Sequence, residues 1–193
     1  MTRRIVIGVT GASGAPYARR LLDVLSQHHQ RWDVEPHLVF SKTGRMVFQD
    51  ETGIDPKSYD FPFWGSMDMT APFASGSARF ESMIIVPCSA GTMGRLAGGT
   101  SINLVSRAAE VMLKERRKLI LVLRESPYSL IHLRNMVAVT EAGATVMPAS
   151  PSFYSKPANR EELLDTVVMR ALDHLGLESN LIERWSGREM RKE

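Results

Sequence analysis

Apolar runs of strand length alternate along this chain with stretches in which apolar residues recur every three or four positions. "IVIGV" (5–9) is β-branched, nearly all apolar and closed by turn residues, the pattern of a strand covered on both faces. After "TGASG" (10–14), Ala18, Leu21, Leu22 and Leu25 mark one face of a helix. "EPHLVF" predicts a second strand ending at Ser41, and a helical period runs from there toward Glu51. Residues 53–80 break the alternation, crowding aromatics, Met, Pro, Gly and Ser. "SMIIVP" predicts a third strand, which enters the small-residue turn "CSAGTMGRLAGG". Leu104, Ala108, Val111 and Met112 define the next helix, and "KLILVL" a fourth strand ending at Arg124-Glu125. "SLIHLRNMVAVTEAG" predicts a helix with Gly143 placed to end it. "ATVMPA" is a fifth strand and "REELLDTVVMRALDHLGL" a last helix. Residues 1–176 thus read as one domain, and 177–193 as a charged tail.

Strands alternating with helices imply right-handed βαβ units and a single α/β domain of three layers, its parallel sheet covered on both faces. In such a sheet ligands bind beyond the carboxyl ends of the strands, where the strand order reverses. Gly11–Gly14, Ser41, Cys88–Thr92 and Arg124-Glu125 all follow strands, so the chemistry-bearing residues are expected at that edge.

Composition narrows the partners. A chain of 193 residues, 44% hydrophobic and 23% charged, suffices for one well-buried domain. A net charge of +3, from 24 basic and 21 acidic residues, gives no strong field toward nucleic acid or a membrane surface. The lone Cys88 excludes an internal disulfide and fits a reducing compartment. No apolar run approaches the ~20 residues of a membrane helix, and the run in "MTRRIVIGV" is short for a signal-peptide core. The expected location is the cytoplasm.

The first turn reads Gly8-x-x-Gly11-x-x-Gly14, which is not the G-x-G-x-x-G of dinucleotide folds. The second strand ends in Phe40-Ser41-Lys42, without the acidic residue that binds a ribose hydroxyl. No G-K-[ST] closes the turn, so a P-loop fails too. Two readings remain. Backbone N–H groups and the Ser13 hydroxyl at a helix N-terminus suit one phosphate, or Ser13 caps the helix and the glycines allow close packing.

Across the whole chain, "TGASGAPYARRLL", "DMTAPFASGSARF", "PCSAGTMGRLAGG", "LVSRAAEVMLKERRKLILVLRESPYSLIHLRNM" and "PASPSFYSKP" together resemble the flavin prenyltransferase family (UbiX type), in register from about residue 3 to 176. The resemblance implies a flavodoxin-type domain in a homododecamer of trimers, with the site between subunits and the tail packed at an interface. It implies transfer of the dimethylallyl group of dimethylallyl monophosphate to N5 and then C6 of reduced FMN. The product, prenylated FMN, would serve a UbiD-type decarboxylase. Carried over, the flavin contacts are Gly11, Ala12, Ser13, Ser41, Ser89, Ala90, Gly91, Thr92 and Arg124. The isoprenyl phosphate falls to Lys114, Arg124, Glu125, Tyr154 and Arg170, with Arg107 nearby. Ser13, Glu51, Lys114 and Glu125 take the catalytic roles, and Trp185 is the C-terminal aromatic that closes the site.

The residues also allow plainer readings. Arg107 and Lys114, seven apart, share a helix face that could simply be solvated. Arg124 suits bidentate phosphate binding and Glu125 a proton transfer, or the two pair with each other. Cys88 reads as a small buried hydrophobe, His132 as structural, and Phe61, Phe63 and Trp64 as core or a subunit contact. Two other functions compete: an FMN-dependent decarboxylase of the phosphopantothenoylcysteine or peptidyl-cysteine type, and a non-catalytic FMN-binding protein. The first wants a histidine near the start of the first helix, and His28 and His29 come too late. Glu161-Glu162-x-x-Asp165 resembles a metal–diphosphate motif but has no facing acidic cluster. No metal is therefore expected, with Lys114, Arg124 and Arg170 neutralising a monophosphate directly.

Overall fold

The structure, a computed structural model, describes residues 2–185. Strand β1 (Arg3–Val9) is buried from Ile5 onward and pairs in parallel with β2 (Val34–Phe40) on one side and β4 (Ser82–Cys88) on the other. Beyond β4 lie β5 (Lys118–Leu123) and β6 (Ala144–Pro148); beyond β2 lies the two-residue β3 (Phe63–Trp64). The order is β3-β2-β1-β4-β5-β6, parallel throughout. Without β3 it is that of flavodoxin-like sheets. The chain moves outward from β1 to β3 and then crosses back to β4, which puts the reversal at the carboxyl ends of β1 and β4.

Alternation along each strand builds the two cores. Ile5, Ile7 and Val9 face one side with Ile84 and Val86, under α1 (Ala15–His28), α2 (Lys42–Thr52) and α6 (Arg160–Leu175). Val6, Met83, Ile85, Leu119 and Leu121 face the other, under α3 (Ala90–Ala97), α4 (Leu104–Lys114) and α5 (Leu130–Glu141). Helix α3 corrects the sequence reading, which made "CSAGTMGRLAGG" a turn. Its glycines lower helix propensity, but Ser89 caps it by accepting from the Thr92 amide (3.2 Å), and burial of Met93 and Leu96 holds it. Strand β3 lies inside the irregular stretch and is too short to show a period. His37 organises that stretch: Trp64 Nε1 donates to its Nδ1 (3.1 Å), its Nε2 donates to Glu35 (3.1 Å), and Phe73 and Phe80 meet its ring edge-on. Phe61, Phe63 and Trp64 are accordingly core residues.

Residues 177–185 dock on their own domain. Leu177 and Ser179 are buried, Trp32 Nε1 donates to the Glu178 carbonyl (3.0 Å), and Arg184 forks onto Asp173 (2.8 and 3.0 Å). A second tie joins α1 to α6, where Arg20 donates to the buried Asp165 carboxylate at 2.6 and 3.0 Å. Removing one partner of a buried pair strands the other's charge. Arg20→Met should therefore cost about 3 kcal/mol in urea unfolding, and Arg20→Met/Asp165→Leu should recover most of it.

Candidate active site

Thr10, which follows β1 directly, locks the two switch-point turns together. It is 2% exposed. Its hydroxyl donates to the Pro87 carbonyl (2.8 Å) and accepts from the Ser89 amide (2.8 Å), while its own amide also donates to Pro87 (3.2 Å). Sequence reasoning passed over Thr10, although a hydroxyl residue immediately after a switch-point strand was the available signal. Arg124, after β5, adds a third tie: its amide donates to the Cys88 carbonyl (3.0 Å) and its Nε to the Ser13 carbonyl (2.6 Å).

Helix α1 begins differently from either expectation. Gly14 is its cap residue, at φ 116°, and no side chain of the turn caps it, so Ser13 is not the cap. The carboxylate of Glu51, from the last turn of α2, accepts from the amides of Gly14 (2.9 Å) and Ala15 (2.8 Å). An anion belongs at a helix N-terminus, and this one is supplied by the chain itself. A bound phosphate cannot occupy the same place. Burial pushes the Glu51 carboxyl up, but the Ser13 hydroxyl, those two amides and the nearby Arg124 charge outweigh it and hold it below the ordinary range.

Two other helix N-termini open on the same edge. Ser41 caps α2 by accepting from the Gly44 amide (2.9 Å), and its own amide donates to Val9 at the end of β1 (2.9 Å). Gly44 must be glycine, since a Cβ there would lie 2.5 Å from the Val9 carbonyl oxygen. Gly11 must be small for a similar reason: its Cβ would fall 2.5 Å from Thr43 Cγ2. The constraint on Gly11 thus comes first from packing against α2, whatever a ligand adds. Among the described residues, the amides of Gly11, Ala12 and Ser13 have no hydrogen-bond partner, and those of Lys42, Thr43, Ala90 and Gly91 belong to first helical turns that leave such donors open.

The remaining candidates fall into two groups. Tyr154 and Trp185 meet edge to face at 5.9 Å, and Arg170 (2.9 Å) shares Asp173 with Arg184. Arg107 and Lys114 lie on α4, in its first and last turns. Arg107 Nε donates to the Ala74 carbonyl (3.0 Å) and Lys114 is ion-paired with Glu115. Lys114 adjoins the start of β5 whereas Arg124 follows its end, so about 20 Å of strand separates them. One chain thus does not bring Lys114 and Arg124 together. Glu125 is half-buried beside the switch point, with Oε1 accepting from the Ser126 amide (3.0 Å).

The other residues weighed in the sequence resolve as structure. Burial pushes the Cys88 thiol up to about 12, so it is no nucleophile. His132 sits in the first turn of α5, where its Nδ1 accepts from the Ser129 amide (3.2 Å) in a capping box. His28 stacks obliquely on Trp32 at the far end of α1, and His29 meets Phe61. The acidic trio is engaged: Asp165 and Glu161 hold Arg20, and Glu162 accepts from Ala158 while Asn159 caps α6. Among the described residues no helix is long and apolar enough to cross a membrane.

The family model described as Flavoprotein matches residues 1–172. The flavin prenyltransferase UbiX of Deinococcus radiodurans is 47% identical over 187 residues, covering 94% of this chain and 93% of that one. AnUbiX (PadA1), solved in complex with FMN and dimethylallyl pyrophosphate, superposes with a TM-score of 0.91 at 44% identity, over 98% of this chain and 100% of that one. A dodecameric FMN-dependent UbiX-like decarboxylase from Escherichia coli O157:H7 gives 0.89 at 40% identity, over 95% and 100%.

The Glu51 contacts carry a testable sign. A carboxyl held below its ordinary 4.5 stabilises the fold above that pH, and the contribution disappears as pH falls through the lowered value. Glu51→Gln should cost about 1 kcal/mol at neutral pH, as for a lost helix cap. The gap between the two proteins should close below pH 4.5, read from urea midpoints across the pH range.

Proposed function

The chain belongs to the flavoprotein family and, within it, to the flavin prenyltransferases, and from that premise we propose that it transfers the dimethylallyl group of dimethylallyl monophosphate to N5 and C6 of reduced FMN. Prenylated FMN would then pass to a UbiD-type decarboxylase. The observation that carries the reading is the pair of small-residue turns, Gly11–Ser13 and Ser89–Thr92, whose open amides are held side by side by Thr10 and Arg124. Such a cradle offers donors for the carbonyls of a flat ring.

Gly11, Ala12, Ser13, Ser41, Ser89, Ala90, Gly91, Thr92 and Arg124 would hold FMN. With α1 already filled by Glu51, the start of α2 is the better seat for the FMN phosphate, through the amides of Lys42 and Thr43 and the Ser41 hydroxyl. Reduced FMN supplies the nucleophile. Glu51 stays ionised and orients the Ser13 hydroxyl, with capacity to take a proton through it. Arg124 neutralises the substrate phosphate and Glu125 protonates it as it leaves.

Lys114, Arg107, Tyr154 and Arg170 complete the phosphate site across copies of the chain, which accounts for the separation of Lys114 from Arg124 within one chain. Helix α5 supports assembly: Leu130, Ile131 and Val137 are at least 58% exposed, and Val139 is its sole buried residue. A homododecamer with shared sites is the proposed state, with residues 177–185 at a subunit interface; the rest of the tail expected there, 186–193, lies outside the described residues. Trp185, whose ring meets Tyr154 edge to face, would be the closing aromatic. Engagement of Glu161, Glu162 and Asp165 inside the chain supports metal-free chemistry on a monophosphate. The buried reduced Cys88 suits a cytoplasmic protein.

Anaerobic incubation with reduced FMN and dimethylallyl phosphate should release a flavin heavier by one five-carbon unit, read by mass spectrometry. An unchanged flavin mass refutes the proposal. Turnover should persist in excess EDTA and stop with oxidised FMN; rescue of an EDTA-inhibited reaction by Mg²⁺ would refute the metal-free step. Glu125→Gln should still bind FMN but transfer about 10²–10⁴-fold more slowly in rapid mixing.

A further inference from the structure

Arg95 lies on α3, one turn beyond Thr92, and the reaction as proposed does not use it. Its Nη2 donates to Thr92 Oγ1 at 3.2 Å. The same oxygen accepts from Ser89 Oγ at 3.0 Å. Two donors fill both lone pairs of that hydroxyl, so the Thr92 proton must be given to an acceptor beyond them. No acceptor for it is found among the described residues.

The guanidinium itself is under-matched. Arg95 Nε is buried without a hydrogen-bond partner, and no carboxylate among the described residues lies within ion-pair distance. A partly buried cation without a counter-ion is costly to keep. It lies beside the turn: a Cβ on Gly91 would sit 3.7 Å from its Nη1. Its charge also reaches the end of β4, where it opposes the upward push on the Cys88 thiol. The Ser89–Thr92 turn therefore combines a hydroxyl proton with no acceptor among the described residues and a positive charge with no counter-ion beside it. That arrangement selects an electron-rich, negatively charged ligand edge.

Resting on the flavin site of the preceding subsection, we infer that Arg95 is a positioning residue for the reduced flavin. Through the Thr92 hydroxyl it presents a charge-backed donor to the ring, which favours the anionic reduced form over the neutral oxidised one. The protein would thereby hold its acceptor in the state the transfer requires.

The test is the affinity for both oxidation states, with the midpoint potential of bound FMN, in the parent chain, Arg95→Lys, Arg95→Met and Thr92→Val. Arg95→Met should lower the preference for reduced over oxidised FMN about tenfold, a fall of about 30 mV for a two-electron couple. Arg95→Lys should keep most of the preference. Thr92→Val should lose a similar amount, and the double variant Arg95→Met/Thr92→Val little more than either single one. Equal weakening of both oxidation states, an unchanged ratio, or altered assembly at an unchanged potential overturns the inference. If Arg95→Met does not fold, Thr92→Val and Arg95→Lys still decide it by the same ratio. Failure of the parent chain to bind FMN in either state would instead overturn the site itself.

Discussion

The hydroxyl of Thr10 holds the carboxyl ends of β1 and β4 at a fixed separation, and the site is built outward from that link. A parallel sheet aligns its strands but leaves the chain beyond them to whatever polar contacts the turns can find. From the first turn, Thr10 satisfies both a carbonyl (Pro87) and an amide (Ser89) of the second with one buried group. The loops that carry Gly11–Ser13 and Ser89–Thr92 therefore move as one body. Arg124 extends that body to β5 through the Ser13 and Cys88 carbonyls. Rigid placement of open amides is what separates a ligand cradle from a loose glycine loop.

Charge is distributed on this frame with one economy. The strongest anion seat of the first turn, the start of α1, is taken by Glu51 rather than left for a ligand. The carboxylate braces the turn, ties α2 to α1 and keeps a base beside Ser13. The N-termini of α2 and α3 open on the same edge, and each has its own hydroxyl cap in Ser41 or Ser89. A glycine turn at a helix start thus does not by itself say where a phosphate goes.

Five strands and the parallel, three-layer class were legible because long β-branched runs and helical periods report burial directly. What escaped were elements whose stability comes from distant contacts. Helix α3 is masked by Gly91 and Gly94, and only the seating of Met93 and Leu96 in the core reveals it. Strand β3 is too short to carry a period and depends on the Trp64–His37 bond. Gly11–Gly14, Ser41, Cys88–Thr92 and Arg124-Glu125 could be put at the carboxyl edge of the sheet from their place after strands, whereas Glu51, Tyr154 and Arg170 entered only through the family resemblance. Thr10, Thr43 and Arg95 were not singled out, because each acts through a neighbour 3 to 79 residues away that no local pattern names. The same limit applies to Ser13, whose capping role passes to Glu51, 37 residues on from Gly14.

The separation of Lys114 from Arg124 follows from the architecture. Helix α4 returns antiparallel to β5, so a residue in its last turn must lie near the foot of the strand whose top bears Arg124. No side-chain rearrangement spans that length. If both cations meet one phosphate, they come from different copies of the chain, and the requirement for assembly is set by the βαβ geometry. The apolar, outward face of α5 is then the complement of that geometry. A helix that buries Val139 alone gives little to its own fold, and its exposed Leu130, Ile131 and Val137 repay burial only against another subunit. Assembly and catalysis would in that case depend on one packing event, with the subunit contact creating the charge cluster that the monomer's topology forbids.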